Sequence, residues 1–111
     1  MLERFGGLEG IREEALLDSA LHRPQHLFRY GSPSLFEMAA AYAVGIVKNH
    51  PFIDGNKRAG FMAAYIFLGA NGEFLDAPEV EAVDRTLALA AGAIGEAEYA
   101  VWLEASCKPE E

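Results

Sequence analysis

Two apolar segments, Ser34 to Asn49 and Asn56 to Asn71, are separated only by His50-Pro51-Phe52-Ile53-Asp54-Gly55. The first opens with Ser34 and, three residues on, Glu37, the pair that forms a capping box at a helix start. It is then apolar on nearly all sides from Leu35 to Val47, which predicts a central, buried helix. The second carries Phe61, Met62, Tyr65, Ile66, Phe67 and Leu68 among alanines. It predicts another buried helix, about 24 Å long and closed at Asn71-Gly72. The connection between them is therefore a tight helix-loop-helix corner.

That corner holds chemistry as well as a turn. Pro51 removes a backbone donor and disfavours helix at His50, so the first helix stops there. Gly55 permits a positive φ and lets the chain turn just before the next helix. The first amides of that helix, at residues 55 to 58, then point outward, where the helix dipole also favours an anion. Lys57 and Arg58 reinforce this: a cation roughly 4 Å from a phosphate oxygen gains on the order of 4 kcal/mol at an effective dielectric near 20, before desolvation. Arg58 can hold two oxygens in its fork, and Lys57 acts as a point charge. Asp54 tolerates a phosphate only across a divalent metal, for which Mg2+ is suited. His50, the imidazole of the corner, is the candidate general base. Singly, these residues read as a helix cap, turn residues and a solvated surface pair; their order between two buried helices points to a phosphate site.

His50-Pro51-Phe52-Ile53-Asp54-Gly55-Asn56-Lys57-Arg58 resembles the signature loop of the Fic fold, in the variant of the death-on-curing (Doc) toxins. Phe5-Gly6-Gly7, Leu16-Leu17, Ser19-Ala20-Leu21, Arg23-Pro24-Gln25, Tyr30-Gly31 and Asn71-Gly72 resemble the same family in the same order. The resemblance implies that His50 deprotonates an incoming hydroxyl and Asp54 holds Mg2+. Gly55, Asn56, Lys57 and Arg58 would hold nucleotide phosphates, and Phe52 would seat the loop. Where AMP-transferring relatives have glycine, this chain has Lys57, as in the Doc branch. The implied reaction is therefore transfer of the terminal phosphate of ATP to a hydroxyl of elongation factor Tu. AMP transfer and a catalytically silent binding module are the alternatives. The Fic fold also implies a flap over the site that aligns the target by backbone pairing, here Gln25, His26, Leu27, Phe28, Arg29 and Tyr30; an ordinary connecting loop is the competing reading. Lys48 stands where the family often has arginine, and could reach a phosphate or complement its helix C-terminus. Met62 stands where some members have asparagine. No Ser or Thr is followed by three residues, Glu and then Gly or Asn, the pattern of the family's own inhibitory helix. The implied restraint is an antitoxin, the C-terminal peptide of a Phd-like protein.

Elsewhere the pattern is helical. Leu2 to Phe5 reads as the last turn of a helix ended by Gly6-Gly7, and a shortened N-terminal helix is expected. Apolar residues at 11, 15, 16, 17, 20 and 21 predict an amphipathic helix over Ile11 to Leu21. His22 to Pro33 loses periodicity and gathers Pro24, Gly31 and Pro33, which predicts a loop. Pro24 also interrupts the helix that His22 and His26 would need to share a zinc ion. Asp76 with Glu79 and Pro78 predicts a helix start, followed by Val80, Val83, Leu87, Ala91 and Ile94 on one face. Tyr99, Trp102 and Leu103 predict a last core helix before a flexible tail at 107–111. The expected fold class is all-α: one compact helical bundle over residues 1–111, with the active-site loop between its two central helices.

The 111 residues suffice for a single core. The sequence has no apolar run of spanning length and no signal-peptide pattern at its start, and its lone cysteine, Cys107, excludes a disulfide framework. A cytoplasmic protein is expected, without a membrane partner. Net charge is −8, yet it is uneven. Residues 1–21 carry five acids and two bases, 22–58 two acids and five bases, and 59–111 ten acids and two bases. The only positive segment contains the corner, which favours a nucleotide there and disfavours bulk nucleic acid.

Overall fold

The computed structural model describes residues 14–50 and 55–109. The readings made for residues 1–13, for Phe52 and Asp54, and for 110–111 lie outside the described residues. In chain order the elements are α1 (Glu14–Tyr30), α2 (Leu35–Asn49), α3 (Asn56–Ala70), β1 (Glu73–Leu75), α4 (Glu79–Ala91), α5 (Glu96–Ser106) and β2 (Cys107–Pro109). The architecture is all-α, with one short antiparallel ribbon added: Glu73 faces Pro109, Phe74 faces Lys108 and Leu75 faces Cys107.

Helix α2 is the axis. Ser34 caps it, accepting from the Glu37 amide at 3.1 Å while the Glu37 carboxylate accepts from the Ser34 amide at 2.8 Å. Its buried residues are Met38, Ala39, Ala40, Ala41, Ala43, Gly45, Ile46 and Val47, so small side chains predominate and neighbours come close. It packs chiefly on α3 and α1, then on α5. At the α2–α3 crossing Gly60 is buried; a Cβ there would lie 2.8 Å from Val47 Cγ1. The core continues through Ala64 and Leu68 of α3, Leu89 of α4, and Tyr99, Trp102 and Leu103 of α5.

The loop expected over His22 to Pro33 is instead helix as far as Tyr30, with Pro24 inside it. An internal proline costs a helix roughly 3 kcal/mol through a lost hydrogen bond and a clash with the carbonyl four residues back. Packing offsets that cost here. Pro24 is fully buried, and the carbonyl it leaves unpaired, Ala20 O, lies 1.9 Å from where Gly45 would carry a Cβ. The hydrogen of Gly45 in that direction makes a Cα–H···O contact in place of the missing amide. Local propensity is overridden by one helix crossing.

Three further expectations change. Asp76 does not cap α4, which starts after Pro78 without a side-chain cap. Asp76 instead pairs with Lys108 at 2.9 Å, and its amide donates to Ser106 O at 2.8 Å, tying the ribbon. The tail expected to be flexible over 107–111 forms β2 over its first three residues. And α4 buries Ala82, Thr86 and Leu89, not the stripe of Val80, Val83 and Leu87, which is exposed. Buried Thr86 and Tyr99 share a hydroxyl hydrogen bond of 2.9 Å, and Trp102 Nε1 donates to Glu81 at 2.7 Å. These bonds fix the α4 register by satisfying polar groups that a dry interface would penalise.

Candidate functional site

The corner forms where α2 ends and α3 begins. Asn49 closes α2 by donating from Nδ2 to Gly45 O at 2.8 Å. His50 follows in the left-handed region, φ 51 and ψ 54, with its amide on Ile46 O at 3.1 Å. It is the non-glycine residue with positive φ among the described residues. Such a conformation costs an L-residue about 1–2 kcal/mol and is often retained at functional sites. Its effect is to turn the chain off the helix axis and leave the imidazole exposed.

Gly55, also left-handed at φ 78 and ψ 22, is the N-cap of α3 and supplies no side chain to its first turn. Ala59 donates to Gly55 O at 2.8 Å, so the helix is fully started there. Lys57 and Arg58 are both exposed, and no carboxylate among the described residues pairs with either. The Arg58 guanidinium folds back, its Nη1 4.0 Å from the position a Gly55 Cβ would take. One corner thus brings together an imidazole at a helix C-terminus, a helix N-terminus without a side-chain cap, and two exposed cations. It can bind an anion with fixed dipoles and charges, and offers a proton acceptor on the other side of the turn.

The other expected site residues fall as follows. Lys48 is exposed in the last turn of α2. Asn56 is half-buried at the start of α3. Gln25, His26, Leu27, Phe28, Arg29 and Tyr30 belong to α1, so they are not an extended flap. Helical hydrogen bonding occupies their backbone, and the backbone pairing expected of them is unavailable in this conformation. The uninterrupted helix does bring His22 and His26 onto one face, with ring centroids 6.1 Å apart. Still, no group of three or more His, Cys, Asp or Glu among the described residues could hold a metal ion. Nor is any helix among them long and apolar enough to cross a membrane.

A feature the sequence reading missed adjoins the corner. A groove of about 510 Å³ starts at Lys57 and Arg58 and runs between α3 and α4, walled by Phe61, Met62, Tyr65, Val83 and Leu87. Met62, Tyr65 and Ile66, expected in the core, are 41%, 40% and 62% exposed. Their apolarity is plain in the sequence, but only the α3 face turned to α2 finds a partner. A signal was present: α3 is apolar on more sides than one neighbour can cover.

Comparison with known proteins agrees with the corner. The model of the Fic/DOC family matches residues 1–68, which include α1, α2, the corner and most of α3. The protein called Toxin Doc of Mycolicibacterium smegmatis is 44% identical over 71 residues, 61% of this chain and 54% of that protein. The chain thus spans about half the length of the curated relative it matches. With more than half its residues matched by the family and the loop's helix ends arranged around His50 and Gly55, this chain belongs to the Fic/DOC family.

Proposed function

We propose that the chain is a Doc-like toxin that moves the terminal phosphoryl group of ATP to a Ser or Thr hydroxyl of a translation factor, elongation factor Tu. The observation that carries this reading is the start of α3 at left-handed Gly55, with Lys57 and Arg58 exposed beside it and paired with no carboxylate among the described residues. Phosphoryl transfer asks a protein for alignment and charge stabilisation more than for covalent help. Arg58 and the first-turn amides hold phosphate oxygens, and Lys57 neutralises charge that grows on them. His50 takes the hydroxyl proton as the oxygen bonds to phosphorus and the bond to the ADP oxygen breaks.

Magnesium fits the donor set by its chemistry, since it accepts one or two carboxylates plus phosphate oxygens and needs no protein cage. Asp54 would hold it, and when bound it would offset phosphate charge. Lys57 favours this reaction over AMP transfer because a long cation occupies the subsite where AMP-transferring relatives have glycine. The same reading places the protein in the cytoplasm under the restraint of an antitoxin, the C-terminal peptide of a Phd-like protein. Intact-mass analysis of elongation factor Tu after incubation with the protein, ATP and Mg2+ tests it. A gain of one phosphoryl group supports the proposal; a gain of AMP moves the chain to the nucleotide-transferring class, and no gain removes this target.

A further inference from the structure

We propose that His22 and His26 form a chelating site for a divalent transition-metal ion, Cu2+, Ni2+ or Zn2+, on the exposed face of α1. The two lie one helical turn apart, about 6 Å along the axis and on one face. Two histidines four apart on a helix are spaced to grip one ion. Pro24 stands between them, and the helix runs through it without a break.

The rings are placed for chelation. Both histidines are exposed, with ring centroids 6.1 Å apart and planes inclined at 31°. Imidazoles that share one ion at metal–nitrogen bonds of about 2.0–2.1 Å have centroids roughly 5 Å apart, so a side-chain rotation of about 1 Å closes the site. Around them lies a recess of about 370 Å³ lined by His22, Gln25, His26 and Arg29. A water takes roughly 30 Å³, so an ion held by two imidazoles has room for waters at its other positions. Ligand type selects the metal: imidazole suits Cu, Ni and Zn, whereas Mg2+ and Ca2+ take oxygen ligands.

Charge on this side of α1 is divided. Asp18 and Glu14, both exposed, lie one and two turns before His22 and favour a cation, while Arg29 on the recess opposes it. Arg23 is neutralised by Glu96 at 2.8 Å. The site has a mechanical consequence as well. Pro24 leaves its turn one backbone hydrogen bond short, at Ala20 O. His22 and His26 bracket that turn, so a metal across them braces it from the solvent side as Gly45 supports it from the core. Metal binding is therefore expected to stabilise the folded chain. No residue of the corner takes part, and the proposal stands without the phosphate-site reading.

The test is calorimetric titration of the full chain, without an affinity tag, with Ni2+ and then with Zn2+ and Cu2+. The expected result is one ion per chain, held most tightly for Cu2+. His22→Ala and His26→Ala should each weaken Ni2+ binding about tenfold or more, and the double variant should lose little further, because a lone imidazole does not chelate. Alanine is the best helix former, so both variants should keep the fold at these exposed positions, as circular dichroism checks. Arg29→Gln should tighten binding. Saturating Ni2+ should raise the Tm of the wild type and of neither histidine variant. Affinity unchanged in either histidine variant overturns the proposal, as does a stoichiometry of one ion per two chains, which places the ion between copies. So does inorganic phosphate binding that the histidine variants and Arg29→Gln abolish while no metal binds, which assigns the recess to an anion. Metal binding that depends on both histidines but leaves Tm unchanged overturns the bracing of the Pro24 turn.

Discussion

Replacing Gly45 with alanine is the sharpest test of how α1 is held against α2. The added Cβ would stand 1.9 Å from Ala20 O, and an ordinary contact begins near 3.4 Å. Both partners are backbone, so no side chain can rotate away; α1 and α2 must separate along the crossing that also accommodates Pro24. Overpacking usually costs about 1–3 kcal/mol, and a backbone-to-backbone clash belongs at the top of that range, about 3 kcal/mol. At roughly 4–8 °C per kcal/mol this lowers Tm by about 12–24 °C. Gly60→Ala meets Val47 Cγ1 at 2.8 Å, a stiff but movable side chain, and should cost about 1–2 kcal/mol. Gly69→Ala, with nothing within 4 Å, should stabilise α3 by about 0.5–1 kcal/mol through helix propensity alone. Urea unfolding of the three variants reads the order directly, from midpoints at constant slope. A Gly45→Ala protein as stable as wild type, or more stable than Gly69→Ala, would refute the crossing.

Three other outcomes follow from single contacts. Tyr99→Phe strands the buried Thr86 hydroxyl and should cost about 1–2 kcal/mol, whereas the double variant with Thr86→Val should cost less than the two single changes together; thermal unfolding of the cycle checks this. Gly55→Ala forces a side chain onto φ 78, costing about 1–2 kcal/mol, and should weaken tripolyphosphate binding measured by calorimetry because the α3 start shifts. Burial, and then the charge of Glu73, push the Cys107 thiol from 9.0 up to about 11. The folded state therefore keeps a proton that the unfolded chain releases, and stability present below pH 9 is lost as pH rises toward 11. At pH 8 folded Cys107 should hold about a hundredfold less thiolate than the unfolded chain and alkylate correspondingly slowly, as mass spectrometry would show.

The two central helices and their corner were legible because several local signals agree there. Ser34 and Glu37 mark a start, Pro51 a stop, and Gly55 a turn before Asn56. The path of α1 through Pro24 was not legible, since Gly45, which receives the Ala20 carbonyl, lies on another element. The face of α4 was misread for a related reason: Thr86 is buried because Tyr99 satisfies it, and no periodicity records that partner. In the site, residue identity indicated anion binding, but the left-handed turn at His50 and the fold-back of Arg58 are properties of the three-dimensional chain. The groove beyond Lys57 was hidden because an apolar helix reads the same whether all or half of it is covered.

The most direct test of a base at one helix end and a phosphate site at the other is to measure ATP affinity and phosphoryl transfer separately in His50→Ala and Arg58→Ala. The account predicts that His50→Ala binds ATP as wild type does and loses transfer, while Arg58→Ala loses affinity itself. Parallel loss of binding in both variants, or transfer that survives without His50, would contradict it.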